Sequence, residues 1–145
     1  MLLRKLFPSK EMRAYRKMHR KHRRELVKLA KETVDWDWIF LHRMVLMQIR
    51  HMYEYYVANN NVWQADESRM LIIGQMEYVL DLGKRIEDME DEDLGAKLVY
   101  RDEGSATYEY PDDYANRVKD YMEREQALYE SLYSSIGKNL RWWWD

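Results

Sequence analysis

The chain has no cysteine, which excludes disulfides, thiolate metal sites and a cysteine nucleophile. Two prolines and five glycines in 145 residues leave little material for tight turns. That argues against a sandwich, a barrel or a doubly wound sheet and for a few long helices. No apolar run reaches the roughly 18 residues that a membrane span needs, and the opening stretch MLLRKLFPSK lacks the apolar middle of a signal peptide. A soluble intracellular protein without a membrane partner is therefore expected. The phosphate-cradling and nucleophile-elbow patterns G-x-x-x-x-G-K-[ST], G-x-G-x-x-G and G-x-S-x-G are missing.

What is present is 46% hydrophobic and 34% charged, enough for a core and compatible with a single helical domain over residues 1–145. The net charge of −2 conceals a strong asymmetry. Residues 1–31 hold twelve Lys or Arg against Glu11 and Glu25, a balance of +10, so the remainder carries −12, with the acids concentrated between Glu87 and Asp113. Such a division points to a partner. Either the basic arm lies near the acidic segment of its own chain or of a second copy, or it grips phosphates.

Hydrophobic spacing predicts four helices. The first, at about 10–32, is capped by Ser9 and forms the basic arm, 1–33. Met12, Tyr15, Met18, His19, His22, Leu26, Leu29 and Ala30 share one arc. Arg13, Arg16, Lys17, Arg20, Lys21, Arg23 and Arg24 lie on the opposite arc with Lys10, Lys28 and Lys31. A helical core over 34–137 follows. Its first helix, 36–58, is capped by Asp35 with Asp37 in the first turn. It is apolar almost all round, with a polar strip of Arg43, Arg50 and Glu54, and so is expected to be central or covered by a second subunit. Asn59–Asn61 reads as a turn. The third helix, 65–90, turns Leu71, Ile72, Met76, Val79, Leu80, Leu82 and Ile86 inward, with Gly83 on the same side. Residues 91–110 are a short hairpin or a loop with a stub of helix. Pro111 begins the last helix at its first position, with Tyr114, Val118, Tyr121, Leu128, Leu132 and Ile136 inward. Gly137 is read as its stop, releasing a Trp-rich tail, 138–145, whose Trp142, Trp143 and Trp144 either lie in a groove or expose aromatic surface.

Candidate chemistry is sparse. His19 and His22 have a spacing that can share a metal, but no carboxylate from the same turn joins them and the surrounding cations repel one; two histidines packed along the apolar face is the plainer reading. His42 and His51 lie on opposite sides of their helix. Glu87-x-x-Glu90 and Asp120-x-x-Glu123 place acid pairs as all-α Mg²⁺-dependent nucleotide pyrophosphohydrolases do, yet in a chain with 26 acids such spacings arise by chance, both pairs fall toward the polar face, and a solvated acidic face is the plainer reading. No metal, cofactor or catalytic residue is assigned. The basic face suits phosphates without reading sequence, and the aromatics add stacking surface. Tyr, Trp, Met and Arg are also the residues enriched at protein interfaces, so a homodimer or a protein partner accounts for the same features.

Trp36-Asp37-Trp38, Leu41, Ile49-x-x-Met52-x-x-Tyr55-Tyr56, a polar turn, and a helix carrying Leu71-Ile72-Ile73 and Leu80-x-Leu82 form a pattern over residues 34–90. It resembles small helical proteins of unknown function encoded by bacteriophages and prophages. The resemblance implies an accessory protein acting in the cytoplasm of a bacterial host. Proteins of that type bind and disable a host protein, including CRISPR or other anti-phage defence machinery; others assist DNA metabolism or assembly. The leading expectation is thus a non-enzymatic inhibitor docking on a host protein through Arg13, Arg16, Lys17, Arg20, Lys21, Arg23 and Arg24 or through the three tail tryptophans. Nucleic-acid or nucleotide binding and pyrophosphohydrolysis are the alternatives.

Overall fold

Long amphipathic stretches with few breakers build helices, and helices dominate the molecule. A computed structural model describes residues 10–32, 38–58, 67–101 and 104–144, apart from the side chains of Glu11 and Trp144. The expected caps Ser9 and Asp35, the first-turn Asp37, the Asn59–Asn61 turn and Trp36 of the aromatic pattern lie outside the described residues. The fold is all-α, with helices α1 (Lys10–Glu32), α2 (Trp38–Ala58), α3 (Glu67–Glu90) and α4 (Tyr114–Trp144), and a hairpin of β1 (Lys97–Tyr100) and β2 (Ala106–Glu109). The chain divides into two compact units, Met1–Asn60 and Asn61–Asp145.

In the first unit α1 packs on α2. Half-buried Met18, His22, Glu25, Leu26 and Leu29 recur every three or four residues along α1, while its cationic side chains stay exposed. Within its own unit α2 is not covered on most sides, so it is not the central helix of that unit. Trp38, Ile39, Leu41, Tyr55 and Val57 are exposed, and of its three buried residues only Ile49 is apolar, the others being His42 and His51. The reason lies in α1, which offers α2 a line containing a histidine and a glutamate rather than an apolar ridge.

In the second unit α3 packs on α4 around an apolar core. Ile73, Met76, Val79, Leu82, Ile86 and Met89 of α3 meet Leu132, Ile136 and Trp143 of α4 as the buried set. Each side chain so buried contributes about 1.5–3 kcal/mol. Gly83 is buried with them, on the side the spacing assigned. Leu71 is not inward but 63% exposed. The buried positions of α3 advance by three or four residues from Ile73 to Met89, a seam that Leu71 misses.

Two expected helix ends are corrected. Pro111 does not begin α4. The Tyr114 amide donates to the Pro111 carbonyl at 2.9 Å in a turn, and the Asn116 and Arg117 amides donate to the Asp113 carbonyl, so the helix starts after Asp113. Nor does Gly137 end it: α4 runs through to Trp144. A helix-interior glycine costs about 1 kcal/mol relative to Ala, less than the burial of Trp143, which is 2% exposed and donates its indole N–H to Gln75 Oε1 at 3.1 Å.

Of the two options for 91–110, the hairpin is found, antiparallel with Leu98 opposite Tyr108 and Val99 opposite Thr107. The Arg101 amide donates to Ser105, and Gly104 takes a φ of 72° in the turn. Gly95, at φ 89°, lets the chain pass Pro111: an added Cβ would sit 3.3 Å from Pro111 Cγ and 3.2 Å from an Arg117 guanidinium nitrogen.

Candidate functional site

The seven cations singled out on α1 are all exposed. Lys21 is tied across the helix pair, its Nζ donating to both Glu54 oxygens at 3.1 Å and lying 3.9 Å from Glu25. Arg20 donates to the Arg16 carbonyl of its own helix. Among the described residues of the unit, no carboxylate pairs with Arg16, Lys17, Arg20, Arg23 or Arg24. Lys17, Arg20, Lys21 and Arg24 recur at one-turn spacing. With Ala14 and Met18 they line a groove of about 830 Å³ whose remaining lining residues are Glu25 and Glu54.

Behind this groove lies a cluster that the sequence analysis did not assemble. The His22 and His51 rings stack with centroids 3.7 Å apart and planes within 5°. His22 Nε2 lies 2.9 Å from Glu54 Oε2, and His51 Nε2 lies 2.7 Å from Glu25 Oε2. An ionised carboxylate only accepts, so each Nε2 carries the proton and Nδ1 is left to take a second. Arg50 Nη2 donates to Glu25 at 3.2 Å, matching the role of Lys21 toward Glu54. Each helix therefore supplies a basic residue, a histidine and a glutamate, and each glutamate is held by the other helix. His19 does not join them; it is exposed and its ring stacks on Tyr15, which corrects the expectation that both α1 histidines pack on the apolar face.

The electrostatics follow from this geometry. The hydrogen bond from His51, with Arg50 and Lys21 nearby, holds Glu25 below the ordinary carboxylate value. Burial pushes Glu54 upward, but hydrogen bonds from His22 and Lys21 outweigh it and leave Glu54 lowered as well. His51 is 6% exposed, and burial pulls it below the ordinary imidazole value against the opposing pull of Glu25.

The signal for this cluster was in the sequence as a repeat: Lys21-His22-x-x-Glu25 in α1 and Arg50-His51-x-x-Glu54 in α2. Looking for ligand pairs within single helices hides it, because the partners meet only between helices. Among the described residues, no three His, Asp or Glu side chains converge as one cation requires.

The tail tryptophans separate. Trp143 belongs to the core of the second unit. Trp142 is 65% exposed and, with Leu71, Ile72, Ser68, Gln75 and Asn139, lines a shallow pocket of about 380 Å³. The Trp144 side chain lies outside the described residues. Glu87, Glu90, Asp120 and Glu123 are exposed, with Asp120 engaged by Arg124 and Glu123 by Lys119. No described helix is long and apolar enough to cross a membrane. Comparison with protein-family models, curated proteins and solved structures finds no match to the chain.

Proposed function

We propose that the chain is a non-enzymatic binding protein that holds a nucleic-acid backbone on the basic face of α1. One observation carries this reading: five exposed cations, Arg16, Lys17, Arg20, Arg23 and Arg24, lack an acidic partner among the described residues of their unit. Contacts of this kind bind phosphates without discriminating bases. Anisotropy of a labelled oligonucleotide tests it. With four phosphate contacts, affinity falls on the order of a hundredfold between about 50 and 200 mM salt, and replacing Arg20, Arg23 and Arg24 by Glu abolishes binding. Binding that ignores both changes would sink the reading.

A second reading, docking on a host protein by a phage-type accessory protein, draws on a different observation. Met12, Tyr15 and Val27 are exposed on the same helix as the cations, and Trp142 and Leu71 are exposed beside a shallow pocket. Arg mixed with exposed Tyr, Met and Trp is the composition of interface centres. Capture of one specific host protein that survives moderate salt supports it, and native mass spectrometry of the same sample reports a second copy of the chain.

A further inference from the structure

We propose that the groove along Lys17, Arg20, Lys21 and Arg24 is where a single nucleic-acid strand seats its phosphates, and that a proton taken up by His51, behind the groove, raises its affinity. This rests on the nucleic-acid reading above and narrows it from a helix face to one groove. A row of cations repeating at about one helical turn, roughly 5.4 Å, matches a polymer carrying charge at regular intervals better than a single small anion. The groove volume, about 830 Å³, is ample for such a strand segment.

Two carboxylates in the lining of an anion site need an explanation, and the paired histidines supply it. Glu54 is matched by Lys21 and His22, and Glu25 by Arg50 and His51. With both imidazoles neutral, Lys21 and Arg50 balance the two glutamates, and Lys17, Arg20 and Arg24 face the groove as surplus positive charge. A proton added at Nδ1 of His51 adds another positive charge behind the same wall. Burial holds His51 neutral in the free protein at neutral pH, and a strand of phosphates in the groove favours its charged form. Linkage then requires that binding takes up protons and that affinity rises as pH falls from about 8 to about 5.5. Lysines and arginines stay fully charged across that range, so they contribute no such rise.

The experiment uses the full chain and a fluorescein-labelled oligothymidylate of about twenty nucleotides, longer than one protein's expected footprint. Anisotropy titrations run at fixed salt across that pH range. Calorimetry near pH 6.5, in buffers of different ionisation enthalpy, counts the protons taken up by the unmodified protein and so does not depend on whether a histidine variant folds. Affinity rising about tenfold toward acid with net proton uptake is the expected result. The double variant Lys17→Glu with Arg24→Glu, in the groove, is expected to weaken binding at least about tenfold, and Arg16→Glu with Arg23→Glu, on the same basic face but outside the groove lining, to weaken it by a clearly smaller factor. Binding that is flat with pH and takes up no protons, or equal losses from the two double variants, overturns the groove while leaving the basic face as the binding surface. No binding of the oligonucleotide at low salt overturns the proposed function itself. Poly-glutamate or inorganic triphosphate binding as tightly as the oligonucleotide removes the nucleic-acid strand as the occupant.

Discussion

Met1–Asn60 and Asn61–Asp145 are each built around a helix pair, and they bury opposite chemistry. Among the described residues, the second unit encloses nine of the ten buried apolar ones, from Ile73 to Trp143. The first encloses Ile49, His42 and His51 and joins its helices through two histidine–glutamate bonds flanked by Lys21 and Arg50. Formal charge divides along the same line: +8 in the first unit and −10 in the second. An apolar core responds mainly to changes of side-chain volume, whereas a polar seam responds to pH and salt. Binding surfaces belong on the kind of element that solution conditions can tune, and the basic groove lies in the tunable unit.

The comparison is broken most forcefully at Trp143. Trp143→Ala removes a buried indole and its bond to Gln75, and is expected to cost the second unit about 3–5 kcal/mol in denaturant unfolding. Trp142→Ala, one residue earlier but exposed, should change stability by less than about 0.5 kcal/mol. Equal effects from the two would mean that the α3–α4 core is not where the burial places it.

Acid sharpens the contrast. His51, Glu25 and Glu54 are all lowered in the folded protein, so the unfolded chain binds their protons more readily. The stability they contribute is complete well above the unfolded imidazole value near 6.5. It declines first as pH falls below that value through His51, then again below about 4.5 through the two glutamates. Hydrogen exchange read between about pH 7 and 4 should therefore show α1 and α2 losing protection, after correction for the intrinsic rate, before the α3–α4 core does. Simultaneous loss in both units would contradict a polar seam confined to the first.

The smallest effect expected is a gain. Gly137 sits inside α4, and a Cβ there would meet nothing within 4 Å. Gly137→Ala should stabilise the second unit by about 0.5–1 kcal/mol in thermal unfolding. Gly95→Ala should do the reverse, because a φ of 89° strains an L side chain and its Cβ would press on Pro111 and the Arg117 guanidinium.

These sites also mark how far the sequence could be read. The Met18, His22, Leu26 and Leu29 line of α1 and most of the α3 and α4 seams follow from spacing, because burial obeys the helical period, whereas Met12, Tyr15, His19 and Ala30 of the same α1 arc stay exposed. Leu132, Ile136 and Trp143 continue one such seam, but a glycine at 137 has the local signature of a helix end, and only tertiary packing overrides it. The α1 cations were legible as exposed charge. Which of them line a groove was not, since that depends on where α2 lies. The histidine cluster was spelled out as a repeated five-residue pattern, basic-His-x-x-Glu. Its meaning required knowing that the two helices run so that His22 reaches Glu54 while His51 reaches Glu25.

That reciprocal pairing makes the seam redundant. Because the same small motif is written once in each helix, a substitution that breaks one histidine–glutamate contact leaves the reciprocal one intact, and single variants will understate what the two contacts achieve together. The coupling should surface as epistasis: Glu25→Gln and Glu54→Gln, mild alone, combine to more than the sum of their separate effects.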